Sequence, residues 1–367
     1  MRRGCPARPF LFFSVGKSAF SGLGREGCND LLRYITRRLG LMVILLLGVS
    51  LFVFLISHMV PSNPAAANLS QTALNDPEIV AAYEAKWGLD QPLWKQYFIY
   101  MGNLLGGDLG TSIRTGRPVL DDLGQYFPAT LELSVFAMII AIVLGIAFGL
   151  ISAVFQDKPI DHVLRTISIS GVSLPSFWFA LLVMTLFSRT LRWFPSGGRF
   201  NMRSFSPSGG TGLHVLDAIL QGNWTFLANV LSHLFLPALV LGFFTMGLIA
   251  RQTRSNLLEV MSMDYIRTAK AKGMKKSRIV LRHALGNALV PVITVSGMGF
   301  CNLLGGMVFV EQIFSWPGIG QYAYLSAKTL DFPAICGVSL LIAVIYVVVN
   351  LLIDILYSVI DPRIRYQ

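Results

Sequence analysis

The sequence predicts an all-α membrane protein with six transmembrane helices, both termini in the cytoplasm, and a small helical periplasmic insertion after the first helix. Three observations predict it. The 367 residues are 54% hydrophobic and only 13% charged, whereas a soluble globular chain is about one quarter charged. Six apolar runs approach or exceed the roughly 20 residues that cross a bilayer, at 39–60, 131–155, 166–187, 234–249, 289–310 and 332–357. Finally, the Lys and Arg residues fall unequally on alternate connections. With the N-terminus inside, 21 of the 30 lie in cytoplasmic segments and 9 outside, as the positive-inside bias requires.

The net charge of +11 does not point to nucleic acid, because it follows the loop alternation and no RNA- or DNA-binding motif accompanies it. The four cysteines form no disulfide framework: Cys5 and Cys28 lie in the tail, while Cys301 and Cys336 lie inside predicted spans, where a free thiol packs as a small apolar group. No Cys/His cluster has metal-site spacing.

Residues 1–30 have no helical period and read as a disordered N-terminal extension. The segment 31–60 is a cationic flank (Arg33, Arg37, Arg38) followed by the first span. That span reads as an uncleaved anchor, since its apolar run exceeds a signal-peptide core; cleavage near Ala65-Ala66-Ala67 is the alternative. The periplasmic loop 61–127 contains two short helices. One starts at Asp76-Pro77-Glu78 with an Asp cap and a Pro in first position, running to Trp87; the other covers 91–105 behind Pro92. Residues 128–367 form the remaining transmembrane core. The fourth span is its weakest, bracketed by His233 and Arg251. The outer loop before it contains Gly/Ser turns and a short helix over 214–221.

The most informative stretch is 263–291, within the cytoplasmic loop 251–288. It carries seven Lys or Arg against one acid, Asp264. Asp264 can cap a helix over 265–272, and Gly273 can end it in the left-handed conformation. Ser277 can cap a second helix running towards the fifth span. The small Ala269 lets a partner approach closely. Two readings fit this pattern: a lug gripped by a partner protein, and a basic helix lying on anionic headgroups. Gly16-Lys17-Ser18 resembles the end of a phosphate loop, but position 11 is Leu where the pattern needs Gly, so ATP binding by this chain is excluded.

Here a resemblance enters. Ala269 and, four residues on, Gly273 resemble the second alanine and the glycine of the EAA loop of ABC importer permeases. Arg267-Thr268 stands where that pattern has Glu-Ala, and its closing proline is displaced to Pro291. With Arg37-Arg38-Leu39, Gly107-Asp108-Leu109-Gly110-Thr111-Ser112, Pro128-Ala129-Thr130-Leu131-Glu132-Leu133, Phe314-Ser315-Trp316-Pro317-Gly318-Ile319-Gly320 and the terminal Asp361-Pro362-Arg363-Ile364-Arg365-Tyr366, residues 31–367 resemble the dipeptide/oligopeptide/nickel permease family.

The resemblance implies a type I ABC importer permease fold in the bacterial inner membrane. It implies a second, similar permease, two cytoplasmic ATPases that carry the ATP and Mg, and a periplasmic solute-binding protein. This chain would itself hold no cofactor and catalyse nothing. Ala269 and Gly273 carry over as ATPase-coupling positions; Asp264, Ile266 and Arg267 join them by helix position. Peptides lead as solute, with nickel chelates, glutathione and oligosaccharides as alternatives.

Some positions stay open between roles. Gly145, Gly149 and Ala153, and Gly297, Cys301 and Gly305, repeat at four-residue spacing, which allows close helix contact, either internal or with the second permease. Pro175 and Pro237 can kink their spans. Asn302 reads as a pathway residue or an interhelical hydrogen bond; Trp316-Pro317-Gly318 reads as an outer gate or an interfacial anchor. Glu132 and Asp354 lie near span ends. A stand-alone ion-coupled carrier would need buried carboxylates and an internal repeat, neither evident in the sequence. A membrane enzyme would need a nucleophile with its base, and the five histidines (His58, His162, His214, His233, His283) are scattered.

Overall fold

The computed structural model of the chain describes residues 40–56, 69, 74–87, 91–201, 210–305 and 308–360, with the side chains of Val172 and 354–360 excepted. The N-terminal extension, the Arg33/Arg37/Arg38 flank, Ala65–67, Asp354 and the terminal Asp361–Tyr366 motif lie outside that description. The described residues form helices and loops, with a single isolated β-bridge, Thr111 to Pro118.

An apolar helix, α1, covers Gly40–Ile56. Two short helices, α2 (Pro77–Trp87) and α3 (Leu93–Leu105), follow where their starts predict. The Asp76 carboxylate accepts the Glu78 N–H at 3.0 Å, satisfying one orphan donor of the first turn. Ser50 of α1 hydrogen-bonds Tyr97 of α3 at 2.9 Å. Next come α4 (Val119–Val154), α5 (Pro159–Ser173), α6 (Ser176–Thr190), α7 (His214–Leu220) and α8 (Trp224–Met261). The chain then forms a short α9 (Asp264–Ala271), α10 (Lys276–Ala288), α11 (Val290–Leu304), α12 (Val308–Ile313), α13 (Ile319–Lys328) and α14 (Phe332–Ile360).

Three of these, α4, α8 and α14, are long and apolar enough to cross a membrane without a break. At 1.5 Å per residue the 36 residues of α4 and 38 of α8 reach about 54 and 57 Å, well beyond a hydrocarbon core of about 30 Å. Hence α4 starts at Val119, and the expected boundary at 127/128 falls inside it. The fourth apolar run proves to be the centre of a long, mostly buried helix rather than a marginal span. Pro237 lies within α8 without ending it.

The third run is broken within its length, and the chain bends where the fifth begins. Helices α5 and α6 meet at 107°, and α10 and α11 at 54°. Pro175 cannot donate to the helix ladder and forces Leu174 into an extended conformation (ψ 140°), so α5 ends and α6 begins there. Pro291 sits in the first turn of α11, where its missing N–H is tolerated, and Leu289 at the bend keeps a helical conformation. A single straight crossing over 166–187 is therefore not what the chain forms.

The core is built around α8. A Cβ on Gly145 of α4 would lie 2.6 Å from the Ile249 side chain, and one on Gly149 would lie 2.5 Å from Thr253 Cβ and 2.6 Å from the Ala250 carbonyl. Gly242 of α8 sits as closely on the Ala137 carbonyl of α4. Contact positions advance together on both helices, so α4 and α8 run parallel. Along α11 they run backwards: Ser134 donates to the Leu303 carbonyl at 3.1 Å, and Gly299 lies beside Met138 and Thr245. These directions match the predicted alternation of crossings. The glycine spacing in α4 thus serves contact within the chain, and Gly297 likewise packs on Ile353 of α14. Outward faces stay apolar, as with Ile139 and Val143 on α4 and Val344 and Val348 on α14; lipid solvates such surfaces.

Gly149→Leu is expected to destabilise the protein by about 1–3 kcal/mol or more through overpacking. Gly124→Ala, in the same helix with open space around it, should be neutral or stabilising by about 0.5–1 kcal/mol. Thermal unfolding in detergent checks the contrast; equal melting of the two variants would mean that α4 and α8 do not meet at Gly149.

Candidate functional site

The hairpin that joins α8 to α11 is a two-faced element. On α9, Ile266 and Ala269 lie one turn apart and are buried; Asp264, Arg267 and Thr268 are exposed. The buried pair packs with Leu257 and Val260 of α8, Ile279, Val280, Ala284 and Ala288 of α10, and Ala153 of α4. Ala269 therefore lets α9 approach this chain's own α10, and its methyl group does not face outward as the sequence suggested.

Asp264 does not cap the helix. The capping position is Met263, in extended conformation with no side-chain hydrogen bond, and Asp264 is already helical. Its carboxylate, almost fully exposed, meets Arg267 at 3.3 Å, a pair worth little in water. Asp264 still suits the first turn, where a negative charge faces the positive end of the helix. Ser277 is likewise no cap: α10 begins one residue earlier, behind an extended Lys275.

The other end of α9 closes as Gly273 predicts. Its φ is +73°, which costs an L-residue with a Cβ. The Gly273 N–H donates to the Lys270 carbonyl (3.0 Å) and the Met274 N–H to Ala269 (3.4 Å), the paired bonds of a Schellman turn. Met274 then packs on the hairpin core. Two side-chain bonds tie the hairpin down: Asn256 of α8 donates to the Ala288 carbonyl (3.1 Å), and Asn287 of α10 to the Tyr265 hydroxyl (2.8 Å). Among the described residues, Lys270, Lys272, Lys275, Lys276, Arg278 and Arg282 have no carboxylate partner, leaving a cationic outer surface.

A second feature, which the sequence reading missed, braces the same end of the bundle. The buried Asp161 of α5 accepts two bonds from Arg254 of α8, at 3.0 and 2.7 Å. It also accepts from the Ser152 hydroxyl of α4 and from the Asp157 N–H at 3.0 Å. One carboxylate thus joins three helices just before the hairpin leaves α8. Asp161 two residues after Pro159 reads locally as an ordinary first-turn acid, and nothing in the sequence pairs it with a residue 93 positions away.

At the opposite end of the bundle, two of the quoted motifs interlock. Trp316 is fully buried, and its indole N–H donates to the Ala129 carbonyl at 2.9 Å. The Thr130 hydroxyl donates to Glu311 at 2.8 Å and accepts from the Ile319 N–H at 2.8 Å. Glu311 also accepts from the Gln321 N–H at 2.9 Å. Gly318 is buried, and a Cβ there would collide with Glu311 and Thr130; Pro317 is half-buried. Two positions on, Glu132 binds Arg199 at 2.7 Å and the Val215 N–H at 2.7 Å. The Trp316 ring lies inside a packed clamp, away from any surface. Asn302 faces outward from α11, and among the described residues it has no interhelical hydrogen bond.

Buried carboxylates are therefore present, contrary to the sequence reading: Asp122, Glu132, Asp161, Asp217, Glu311 and Asp331 are all inside. Apart from Glu132, they escaped notice because the hydroxyls, N–H groups and arginines that satisfy them are brought to them by the fold. Asp331, for instance, accepts from Ser112 at 2.5 Å and the Arg114 N–H at 3.1 Å, stapling the Gly107–Ser112 motif to the start of α14. Among the described residues no group of His, Cys, Asp or Glu could hold a metal ion.

Comparison with known proteins fits this geometry. A family model described as the binding-protein-dependent transport system inner membrane component matches residues 145–366, and one for the N-terminal part of such membrane components matches 31–134. The dipeptide transport system permease protein of Alkalihalophilus pseudofirmus is 44% identical over 92% of this chain and 100% of its own length. The probable D,D-dipeptide transport system permease protein of Escherichia coli is 46% identical over 88% and 94% respectively. Among solved structures, a chain of the inward-facing MetNI methionine ABC transporter superposes with a TM-score of 0.50, covering 65% of this chain and 96% of that one at 17% identity, a likeness of fold.

The clamp yields a pH prediction. His214 on α7 packs edge-on against Phe200 and Phe226. Burial, aided by the Arg199 charge, pushes its pKa down to about 4. The unfolded chain then binds a proton below about 6.5 that the folded chain refuses. Stability at this site is full above pH 6.5 and is lost as pH falls towards 4. His214→Phe is expected to flatten the fall in melting temperature between pH 6.5 and 5, measured in detergent at constant ionic strength.

Proposed function

The chain belongs to the family of binding-protein-dependent transport system inner membrane components, and from that premise we propose that it carries short peptides inward across the bacterial inner membrane, driven through its α8–α11 hairpin. It is a multi-pass permease subunit of an ABC transporter. The named substrates of its relatives, dipeptides and D,D-dipeptides, support a peptide cargo. ATP and Mg bind two partner ATPases on this reading, a second permease completes the pathway, and a periplasmic binding protein delivers the solute.

The reading has six spans. Three unbroken helices, two bent pairs and the shorter apolar α1 supply six apolar units, and the parallel run of α4 and α8 agrees with both crossing outside to inside. The cationic hairpin then faces the cytoplasm, as does the C-terminus. On this reading the chain divides into an extension (1–30), a flank with the first span (31–60), a periplasmic insertion (61–127) and a core (128–367) with its coupling loop (251–288), and α4 already begins at Val119 within the insertion.

One observation carries the mechanism: α9 has a buried face welded to α8, α10 and α4, and an exposed face bearing Asp264, Arg267 and Thr268. An ATPase that grips the exposed face moves the buried one. Ile266 and Ala269 pass the displacement into α8, whose buried length carries it across the bundle. The Asp161–Arg254 pair makes α5 follow. Coupling of this kind needs a contiguous packed element with a rigid lever, and α8 with α9 has both properties. Asn302, exposed on α11, is the pathway position on this reading. Trp316, Pro317 and Gly318 support the outer end of the pathway as part of a clamp. The buried carboxylates do not favour an ion-coupled carrier, since each is held by fixed donors.

Two experiments test this. Gly273→Val forces a β-branched residue into a left-handed turn. The assembled transporter should then lose stimulation of ATP hydrolysis by peptide-loaded binding protein; normal stimulation rejects the coupling role. In a chain whose four native cysteines are replaced, Asp264→Cys should react with a membrane-impermeant maleimide in inverted vesicles and not in intact spheroplasts. Labelling from outside reverses the topology.

A further inference from the structure

Behind the hairpin lies a cleft of about 670 Å³, bounded by the ends of α4 and α8, the α4–α5 connection and the α9–α10 turn. Its walls are apolar, with Leu257 and Met261 from α8 and Ile279 from α10. Its polar lining includes three lysines from three separate segments: Lys158, Lys270 and Lys276. No Asp or Glu lines it, and none of the three ammonium groups has a carboxylate partner among the described residues. Lys276 Nζ instead lies 3.4 Å from the Val154 carbonyl in the last turn of α4, and Lys158 Nζ stands 5.5 Å from the Phe155 ring centroid.

We propose that this cleft binds the headgroup of an anionic phospholipid from the inner leaflet, with the lysines on its phosphate and the start of its acyl chains on the apolar wall. The inference rests on the reading above that the hairpin is cytoplasmic, which sets the ends of α4 and α8 at the inner headgroup layer. Three features carry it. Three lysines lining one cleft that no acid lines are complementary to a phosphate, for which lysine is a compact point-charge donor. The apolar wall has no use for a free phosphate but accommodates hydrocarbon. The volume suits a headgroup with its first methylenes, within the range of small-ligand sites. Basic pockets between membrane helices on this side are suited to such headgroups. A lipid seated here touches α4, α8, α9 and α10 together, so its occupancy bears on the element that drives transport.

The test uses the assembled transporter in detergent, with native mass spectrometry after adding phosphatidylglycerol or phosphatidylcholine of the same acyl chains. Preferential retention of phosphatidylglycerol by the unaltered complex is expected. In Lys158→Gln/Lys276→Gln that preference should fall by about tenfold or more, and Lys158→Arg/Lys276→Arg should keep it. If the glutamine pair fails to assemble, Lys158→Gln alone, in an exposed connection, should still show a reduced preference. Equal retention of both lipids, or undiminished preference in the glutamine variants, overturns the proposal. Displacement of phosphatidylglycerol by millimolar inorganic phosphate also overturns it, in favour of a free-anion site. Peptide-stimulated ATP hydrolysis of the same unaltered preparation in vesicles separates the two readings. Stimulation without lipid preference sinks only the lipid site, and lipid preference without stimulation sinks only the peptide-import reading.

Discussion

Close contact between α4 and α8 is the constraint on which the rest of the molecule depends. Between apolar helices in lipid there is little hydrophobic drive to associate, so van der Waals fit and interhelical hydrogen bonds hold the bundle. Gly145, Gly149 and Gly242 let the two backbones meet along several turns. This shared axis fixes α8 as the buried centre. It also decides where the chain beyond Met261 emerges, and therefore where the hairpin stands.

Both ends of that axis are pinned by charge. At one end Asp161 gathers Arg254, Ser152 and a loop N–H. At the other, Thr130 and Glu132 of α4 receive α12, the Trp316 turn, α13 and the Arg199 loop. Burying a carboxylate without partners is costly, so these groups hold their neighbours firmly once formed. The middle of the axis is apolar, and the polar fasteners lie near the ends. A body built this way tilts as a unit when pushed at one end, which suits a permease driven from outside its own fold. The hairpin is small, but its buried face leaves no slack between the exposed surface of α9 and the end of α8.

Much of the local structure was legible. The starts of α2 and α3, the short α7 and the Gly273 turn follow from capping chemistry, proline geometry and the left-handed preference of glycine, which act within a few residues. Where the reading failed, a local rule had a tertiary competitor. Asp264 and Ser277 have cap chemistry, yet the chain enters the first helix one position earlier and the second two positions earlier, because the inward register of Ile266, Ala269 and Ile279 against α8 sets the phase. Ala269 looked like a surface notch and proved to be an inner contact, since a small residue signals close approach without saying by what. Glu311 gave no sign in the sequence that Thr130, far back in the chain, holds it.

Sequence by itself determined the class of the molecule: a lipid-solvated, all-helical chain, the unequal charge of its loops, the cationic hairpin and the family resemblance. These follow from composition, run length and charge count, which depend on transfer between water and hydrocarbon and need no fold. Tertiary structure alone decided which glycine faces meet, how the third apolar run breaks, which carboxylates are buried and paired, and which face of α9 is free. Those outcomes depend on residues far apart in the chain satisfying one another's volume and hydrogen bonds, a condition that exists only once the helices have packed.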